Sequence, residues 1–199
     1  PIAIVGAGCR LPGGASSLET FAELLRNGVD AVTAAPPVAR PGWPDAGLPP
    51  AGYLAEDPAA FDAVFFGIAP REAASMDPQQ RLVLECAWEA LEHAGINPRS
   101  LENSRTGVFV GVASTDWAQL QLRGEPDAEV LQSHFAAGVA HSMVSGRLSY
   151  VLGLQGPSVS LDTACSSSLV AVLIGVALQG FPAPDAVAAA VARSVSQAV

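Results

Sequence analysis

Alternation of apolar and polar positions predicts three short strands in this chain. They fall at residues 2–5, 106–113 and 158–162, and in the third strand Val159 and Leu161 alternate with small or polar residues. A period of two is typical of a strand that buries one face. Helical stretches separate the strands, so the pattern predicts an α/β fold in layers, with a central mixed sheet between helices.

Capping residues and helical periodicity predict the first two helices. Ser16 and Glu19 have the spacing of a capping box before an amphipathic helix. The best-formed helix begins with Asp77 as N-cap and Pro78 at the first helical position, and Gly95 follows its end. We interpret both as packing helices.

The remaining chain alternates between loops and helices. Residues 34–50 contain six prolines and little periodicity, which predicts an ordered surface loop. Residues 114–133 are polar, acidic and interrupted by glycine and proline. Residues 138–152 have helical periodicity and lead through a turn into the third strand. From residue 166 apolar side chains occur on nearly every side, which predicts a helix enclosed by protein.

The change from strand to helix periodicity places Cys165 on a tight turn over residues 162–168. The neighbours of Cys165 are small, as such a turn requires if the thiol is to project into a pocket. Unpaired amides at the start of the following helix favour the thiolate and could hold an oxyanion. Cys165 is therefore the candidate catalytic nucleophile, and a buried structural cysteine is the alternative.

Composition excludes several classes of function. Nineteen acidic residues face ten arginines and no lysine, an acidic balance that predicts neither a nucleic-acid partner nor an anionic membrane partner. Gly6 and Gly8 follow the first strand, but Leu11 stands where a dinucleotide fingerprint needs its third glycine, so no nucleotide cofactor is predicted.

Cysteine usage and the chain ends predict the setting of the protein. The three cysteines have irregular spacing and indicate neither a disulfide framework nor a metal site, so we expect a reducing cytoplasm. No signal peptide is visible, and the longest apolar run is about half of the ~20 residues that span a bilayer. The chain opens on Pro1 rather than Met, which suggests a segment of something longer.

Several long motifs resemble one family. The chain reads DTACSSSLVA at 162–171, PIAIVGAGCRLPGG at 1–14, FDAVFFGIAPREAASMDPQQRLVLECAWEALEHAGI at 61–96, TGVFVGV at 106–112 and GRLSYVLGLQGPS at 146–158. In this order they are similar to the N-terminal half of the beta-ketoacyl synthase (ketosynthase) domain of modular type I polyketide synthases. The resemblance implies half of a thiolase-like fold and makes Cys165 the acyl-accepting residue.

The resemblance also implies a reaction and its participants. Such a domain is an acyltransferase that takes an acyl chain as a thioester on Cys165 and condenses it, by a decarboxylative Claisen reaction, with an extender on an acyl carrier protein. It binds no cofactor directly, because the substrate arrives on the phosphopantetheine of the carrier protein. The implied partners are this carrier protein, the remainder of the ketosynthase or module, and a second copy in a homodimer.

Two departures from the family pattern accompany the resemblance. Histidine motifs of the kind HGTGT and KSNIGH, which supply the catalytic imidazoles of the family, do not occur here, so we expect the isolated chain to be incomplete for condensation. Residues 173–199 do not follow the family, which divides the chain into a ketosynthase half at 1–172 and a divergent tail. From Asp185 the tail has the composition of one more amphipathic helix.

Two alternatives to a condensing enzyme remain open. The chain could be a non-catalytic ketosynthase remnant that serves as a dimerisation or interaction module. It could also be an unrelated thiol hydrolase, which would require His134 or His141 within hydrogen-bond reach of Cys165. His93 lies in the last turn of its predicted helix, where we expect it to cap the helix end.

Overall fold

The fold combines helices with a short parallel sheet. The computed structural model describes residues 3–38, 49–57, 59–123 and 134–178, and the backbone of residues 187–188. The helices in these ranges are α1 (Leu18–Arg26), α2 (Pro70–Ser75), α3 (Pro78–His93), a 3-10 turn (Pro98–Leu101), α4 (Asp116–Arg123), α5 (Phe135–Val139), α6 (Ser142–Val151) and α7 (Ser167–Leu178). The strands are β1 (Gly107–Gly111), β2 (Ser158–Leu161) and β3 (Val187–Ala188).

The sheet has β1 at its centre, with β2 on one side and β3 on the other. Both pairings are parallel, and Val108 lies opposite Ser158 while Gly111 lies opposite Leu161. All five residues of β1 are buried, as expected for a parallel strand that helices cover on both faces. Helices α6 and α7 both contact β1, so the structure has the predicted layered α/β arrangement.

The core surrounds β1 and joins the sheet to α3 and α6. Its buried apolar residues are Ile68, Met76, Val83, Leu84, Val108, Val110, Val112, Val144, Leu148, Leu152 and Leu154. Burial of this set supplies the main favourable free energy of folding, at about 25 cal/mol for each Å² of apolar surface. The strand at residues 106–113 and its packing were predicted, and the structure confirms both.

Helix α3 begins and ends where the sequence predicts. The Asp77 carboxylate accepts a hydrogen bond from the Gln79 amide at 2.8 Å, and Pro78 is the first helical residue. Gly95 has a φ of 68°, a left-handed conformation that a glycine after the helix adopts without strain. Buried Arg147 on α6 donates to Gln80 on α3 and to Glu72 on α2, which ties the three helices together.

The predicted first strand is wrong for residues 3–5, which form no strand. Ile4 is 92% exposed and Val5 is 65% exposed, because no strand among the described residues lies beside them. The segment packs instead through its glycines on α3, where a Cβ at Gly8 would lie 2.5 Å from the Cys86 carbonyl oxygen. An apolar run forms a strand only where backbone partners are available.

The cap of α1 lies one residue later than predicted. Ser17 Oγ accepts from the Thr20 amide at 3.2 Å, and Thr20 Oγ1 accepts from the Ser17 amide at 3.0 Å. The capping box therefore joins Ser17 and Thr20 instead of Ser16 and Glu19. The hydroxyl of threonine replaces the usual glutamate or glutamine in this reciprocal pair.

The helix predicted over residues 138–152 is two helices, α5 and α6. Ala140 between them has a ψ of 130°, which is extended backbone. The carbonyl of Gly138 accepts instead from the Asp77 amide at 2.9 Å and from Gln80 Nε2 at 2.8 Å. The start of α3 thus uses a carbonyl that a continuous helix would have occupied.

The tail and the two polar stretches differ from their predictions in part. Val187 and Ala188 form β3, so a helix is wrong at these two residues, whose backbone instead pairs with the open side of β1. Helix α7 runs through residue 173, and the division of the chain at residues 172 and 173 stays a prediction. Residues 116–123 form α4, where the sequence indicated only a polar, acidic stretch. Residues 39–48, within the predicted proline-rich loop, lie outside the described residues.

Candidate active site

Cys165 lies at the edge of the sheet where the parallel strands end. Strand β2 stops at Leu161, helix α7 starts at Ser167, and the turn between them carries Cys165. This placement confirms the predicted strand-to-helix turn. Cys165 is exposed, which does not fit the alternative of a buried structural cysteine. In open parallel sheets, ligands bind beyond the carboxyl ends of the strands, and the Cys165 thiol occupies this position.

Hydrogen bonds and one left-handed residue shape the turn. Asp162 Oδ1 accepts from the Ala164 amide at 2.8 Å, and Ala164 has a φ of 53°. This conformation costs a non-glycine residue about 1–2 kcal/mol, so the surrounding contacts must hold it. Ser166 Oγ donates to the Thr163 carbonyl at 2.8 Å and also lies 2.9 Å from Thr163 Oγ1.

Ser167 closes the turn from the start of α7. Its side chain accepts from the Thr163 amide at 2.8 Å and donates to the Ala164 carbonyl at 2.7 Å. Ser167 is 5% exposed, whereas Ser166 is exposed to solvent. The two hydrogen bonds hold Thr163 and Ala164, the two residues that precede Cys165.

Gly111 at the end of β1 lets α7 approach the sheet. A Cβ at this glycine would lie 2.8 Å from Ser167 Cβ and 2.8 Å from the Ser168 amide nitrogen. Real Cβ atoms do not come so close to their neighbours, so a side chain at Gly111 would displace the start of α7. The position of the turn therefore depends on the buried strand β1.

Two of the amides that we expected to hold an oxyanion already donate hydrogen bonds within the protein. The Ser166 amide donates to the Thr163 carbonyl at 3.3 Å, and the Ser167 amide donates to the Ala164 carbonyl at 3.1 Å. These bonds belong to the turn and the first turn of α7. The prediction that the first helical amides are available to a ligand is therefore wrong for Ser166 and Ser167.

The other two cysteines have a different environment. Burial raises the pKa of the Cys86 thiol to about 12, with a smaller opposing effect from the Arg10 guanidinium. Burial also raises the pKa of Cys9. Of the three thiols, only that of Cys165 is exposed, and no disulfide joins any two of them.

No histidine in the described ranges forms a hydrogen bond with Cys165. His141 Nε2 lies 2.8 Å from the Ser114 carbonyl oxygen, and His134 precedes α5 without capping it. His93 lies in the last turn of α3, as predicted, and its Nδ1 accepts from the Ala7 amide at 3.2 Å. The Ala7 amide lies outside any helix or strand and needs a partner, and the His93 ring supplies it.

A cluster of three or more His, Cys, Asp or Glu side chains arranged for a metal ion is absent from the described residues 3–38, 49–57, 59–123 and 134–178. In the same part of the chain no helix combines the length and the apolar character needed to cross a bilayer.

Sequence reasoning missed the residues that support the turn. Ser167 is one of three consecutive serines, and only the structure distinguishes its buried hydroxyl from that of its neighbours. Gly111 was part of the predicted strand, but its contact with α7 joins residues more than fifty positions apart. A small residue at a strand end is the only sequence feature that pointed to this contact.

The fold and the turn together define an α/β domain that presents one exposed thiol at the carboxyl edge of a parallel sheet. The family model described as "Beta-ketoacyl synthase, N-terminal domain" matches residues 1–198, and the chain belongs to this family. The match includes the tail that does not resemble the family motifs.

Relatives from polyketide synthases agree with this assignment. The chain is 55% identical over 174 residues to polyketide synthase GfsA of Streptomyces halstedii, covering 86% of the chain and 2% of that protein. It is 47% identical over 186 residues to erythronolide synthase EryA2 of Saccharopolyspora erythraea, covering 88% of the chain and 5% of that protein. The chain thus spans a small part of these relatives.

Solved structures confirm the fold class. The ketosynthase from module 6 of the bacillaene synthase of Bacillus subtilis 168 aligns with a TM-score of 0.69 at 33% identity, over 86% of this chain and 27% of that chain. The thiolase-like α/β fold predicted from the motifs is therefore confirmed. The chain corresponds to the N-terminal part of a ketosynthase, a condensing enzyme of polyketide synthases.

Proposed function

We propose that Cys165 accepts the growing acyl chain as a thioester in a polyketide synthase ketosynthase, the acyltransfer step of a beta-ketoacyl synthase. The observation that carries this proposal is the placement of the only exposed thiol on a braced turn at the carboxyl edge of the sheet. Cys9 and Cys86 do not compete, because burial raises the pKa of each and keeps it protonated at neutral pH.

The first step transfers an acyl group from a phosphopantetheine thiol to Cys165. The Cys165 thiolate attacks the thioester carbonyl carbon, a new carbon–sulfur bond forms, and the carbonyl electron pair moves onto oxygen. Collapse of this oxyanion breaks the bond to the phosphopantetheine sulfur, which leaves as a thiolate and takes up the proton that Cys165 released.

An amide of the turn supports the proposed oxyanion. The amides of Ser166 and Ser167 donate to the carbonyls of Thr163 and Ala164, and we propose the Cys165 amide as the donor that this turn offers to the oxyanion. A backbone donor fixed in place needs no reorganisation when charge develops on the substrate oxygen. The left-handed Ala164 sets the direction of this amide, since the two residues share a peptide bond.

The second step is condensation with an extender unit. Loss of carbon dioxide from a malonyl-type thioester leaves an enolate, which attacks the Cys165 thioester carbonyl and expels the Cys165 thiolate. We propose that the remainder of the ketosynthase supplies the imidazoles for this step, because no described histidine contacts Cys165. The acyl carrier protein delivers both substrates on phosphopantetheine, and no cofactor is bound directly.

The proposed assembly is a homodimer of the complete ketosynthase within a synthase module, in a reducing cytoplasm. Three free thiols in the described structure suit a reducing compartment. The exposed Ile4 and Val5 at the N-terminal segment offer apolar surface to the remainder of the ketosynthase.

Acylation of the full-length protein tests this function. We expect propionyl-N-acetylcysteamine thioester to add one propionyl group to the wild type and to a Cys86→Ala control, and none to Cys165→Ala, as measured by intact mass. Labelling of Cys165→Ala would overturn the assignment. Acylation without any condensation product, in the presence of an extender-loaded carrier protein, would favour the non-catalytic alternative.

A further inference from the structure

The hydroxyl of Ser167 lies between two backbone groups that precede Cys165. It accepts from the Thr163 amide at 2.8 Å and donates to the Ala164 carbonyl at 2.7 Å. A serine hydroxyl has one proton to donate, and the Ala164 carbonyl takes it. The hydroxyl thus uses its proton and one lone pair in the turn, and at 5% exposure the residue is shielded from water that could replace it.

These contacts fix the residue that aims the thiol. Ala164 is left-handed, with a φ of 53°, and it immediately precedes Cys165. The strain of about 1–2 kcal/mol would be released if Ala164 returned to an ordinary conformation. Such a change would rotate the peptide between Ala164 and Cys165, and with it the thiol and the Cys165 amide.

Ser167 is itself held in place by the sheet. The space where Gly111 lacks a side chain is occupied by Ser167, whose Cβ lies 2.8 Å from the position that a Cβ at Gly111 would take. Strand β1 is buried along its whole length, so Ser167 packs against the interior of the described fold. Ser167 therefore contacts the buried strand through its Cβ and the left-handed turn through its hydroxyl.

We propose that Ser167 is a positioning residue for the acylation of Cys165. Its hydroxyl holds Ala164 left-handed and thereby keeps the Cys165 thiol and amide in the orientation that thioester attack requires. This inference rests on the proposed function, since it concerns the same thiol. Ser167 contacts no substrate in this role and acts only through the turn.

Two reactions of the same thiol separate positioning from simple folding. Iodoacetamide needs only an accessible thiolate, whereas a thioester also needs its carbonyl oriented toward thiol and amide. A misplacement of about 1 Å can slow an oriented reaction by up to about a hundredfold. The ratio of the acylation rate to the alkylation rate at Cys165 therefore reports orientation, and partial unfolding changes both rates together.

The test compares neighbouring serines in the full-length protein. With propionyl-N-acetylcysteamine thioester as acyl donor, Ser167→Ala should lower this ratio about tenfold or more. Ser168→Ala removes the next hydroxyl on α7, which makes none of the turn's hydrogen bonds, and should leave the ratio within about twofold of the wild type. An unchanged ratio in Ser167→Ala would overturn the inference.

If Ser167→Ala does not fold, a second pair of variants tests the role of the Ser167 hydroxyl. Ser167→Thr and Ser167→Val have the same shape, and only threonine keeps the hydroxyl. We expect the threonine variant to keep at least about ten times the ratio of the valine variant, and equal ratios would contradict the role of the hydroxyl. Absence of acylation in the wild type would instead refute the proposed function, which distinguishes the two failures.

Discussion

The turn that carries Cys165 and the interior of helix α3 around Cys86 give two thiols opposite environments. Cys165 is exposed between a strand and a helix, next to a left-handed alanine. Cys86 lies within α3, where the N-terminal segment approaches so closely that Gly8 has no room for a side chain. Burial there raises the pKa of Cys86 to about 12.

The difference shows that backbone context decides the chemistry of a thiol. Within α3 the local backbone groups are hydrogen-bonded in the helix, and a buried thiol serves as a small apolar side chain. In the turn, a left-handed residue and side-chain hydrogen bonds hold the backbone before Cys165, which is exposed. The comparison predicts that Cys165 variants alter activity, whereas Cys86 variants alter stability.

Matched serine substitutions give the largest expected contrast. Cys165→Ser should reduce acylation by about a hundredfold or more, because a hydroxyl is a weak nucleophile without an adjacent base. Its unfolding free energy should stay within about 0.5 kcal/mol of the wild type, since the residue is exposed. Cys86→Ser should keep the acylation rate but cost about 1–3 kcal/mol, because the new hydroxyl would be partly removed from water at this half-buried position. Acylation kinetics and urea unfolding measure both; equal activities would break the comparison.

The pH dependence of alkylation should give the next largest difference between Cys86 and Cys165. With a pKa of about 12, about one Cys86 thiol in ten thousand is ionised at pH 8 in the folded protein. Because this pKa exceeds the unfolded value of about 8.5, the thiol contributes stability below pH 8.5 that is lost as the pH rises toward 12. Peptide mapping after iodoacetamide treatment should show Cys86 unmodified at pH 8 unless urea is added. Rapid modification of folded protein would contradict the burial.

Two glycine substitutions test the contact between β1 and the turn. Gly111→Ala should cost about 1–3 kcal/mol and slow acylation, because the new Cβ would meet Ser167 at 2.8 Å. Gly146→Ala is the matched control within α6, where the nearest atom to a new Cβ is Met143 Sδ at 4.0 Å. This control should gain about 0.5–1 kcal/mol from the better helix former. Thermal unfolding measures both, and destabilisation by both variants alike would argue against a specific contact.

The smallest effect is expected at the start of α3. Burial raises the pKa of Asp77, and hydrogen bonds from Gln79 oppose this in part. A raised pKa means that the contribution of Asp77 to stability is present in acid and is lost as the pH rises through its folded pKa. Asp77→Asn keeps the cap and removes the buried charge, so at pH 7 it should be at least as stable as the wild type. Asp77→Ala loses the cap and should cost about 1 kcal/mol. Urea unfolding at pH 7 tests both, and a less stable asparagine variant would contradict this account.

The sequence predicted the elements whose determinants are local. Strands β1 and β2 follow from alternation, α3 follows from Asp77 and Pro78, and the Cys165 turn follows from the change in periodicity. Each of these depends on residues that are neighbours in the chain. The fold class then followed from the order of strands and helices.

Elements that depend on distant partners were not predictable in this way. Residues 3–5 have a strand pattern but no strand beside them among the described residues, and Val187 pairs with β1 instead of forming a helix. The break at Ala140 depends on a carbonyl that the start of α3 uses. The position of Ser167 depends on Gly111 in strand β1, far away in the sequence. Tertiary contacts decide the local structure in these cases, and such contacts cannot be inferred from the periodicity of the sequence.

The most direct test of the central claim is to locate the acyl group. The full-length wild-type protein, loaded from an acyl carrier protein at neutral pH, would be digested and its peptides mapped by mass spectrometry. We predict that the acyl mass lies on the peptide containing Cys165, with Cys9 and Cys86 unmodified. An acyl group on either of those two cysteines, or on no cysteine, would contradict the account.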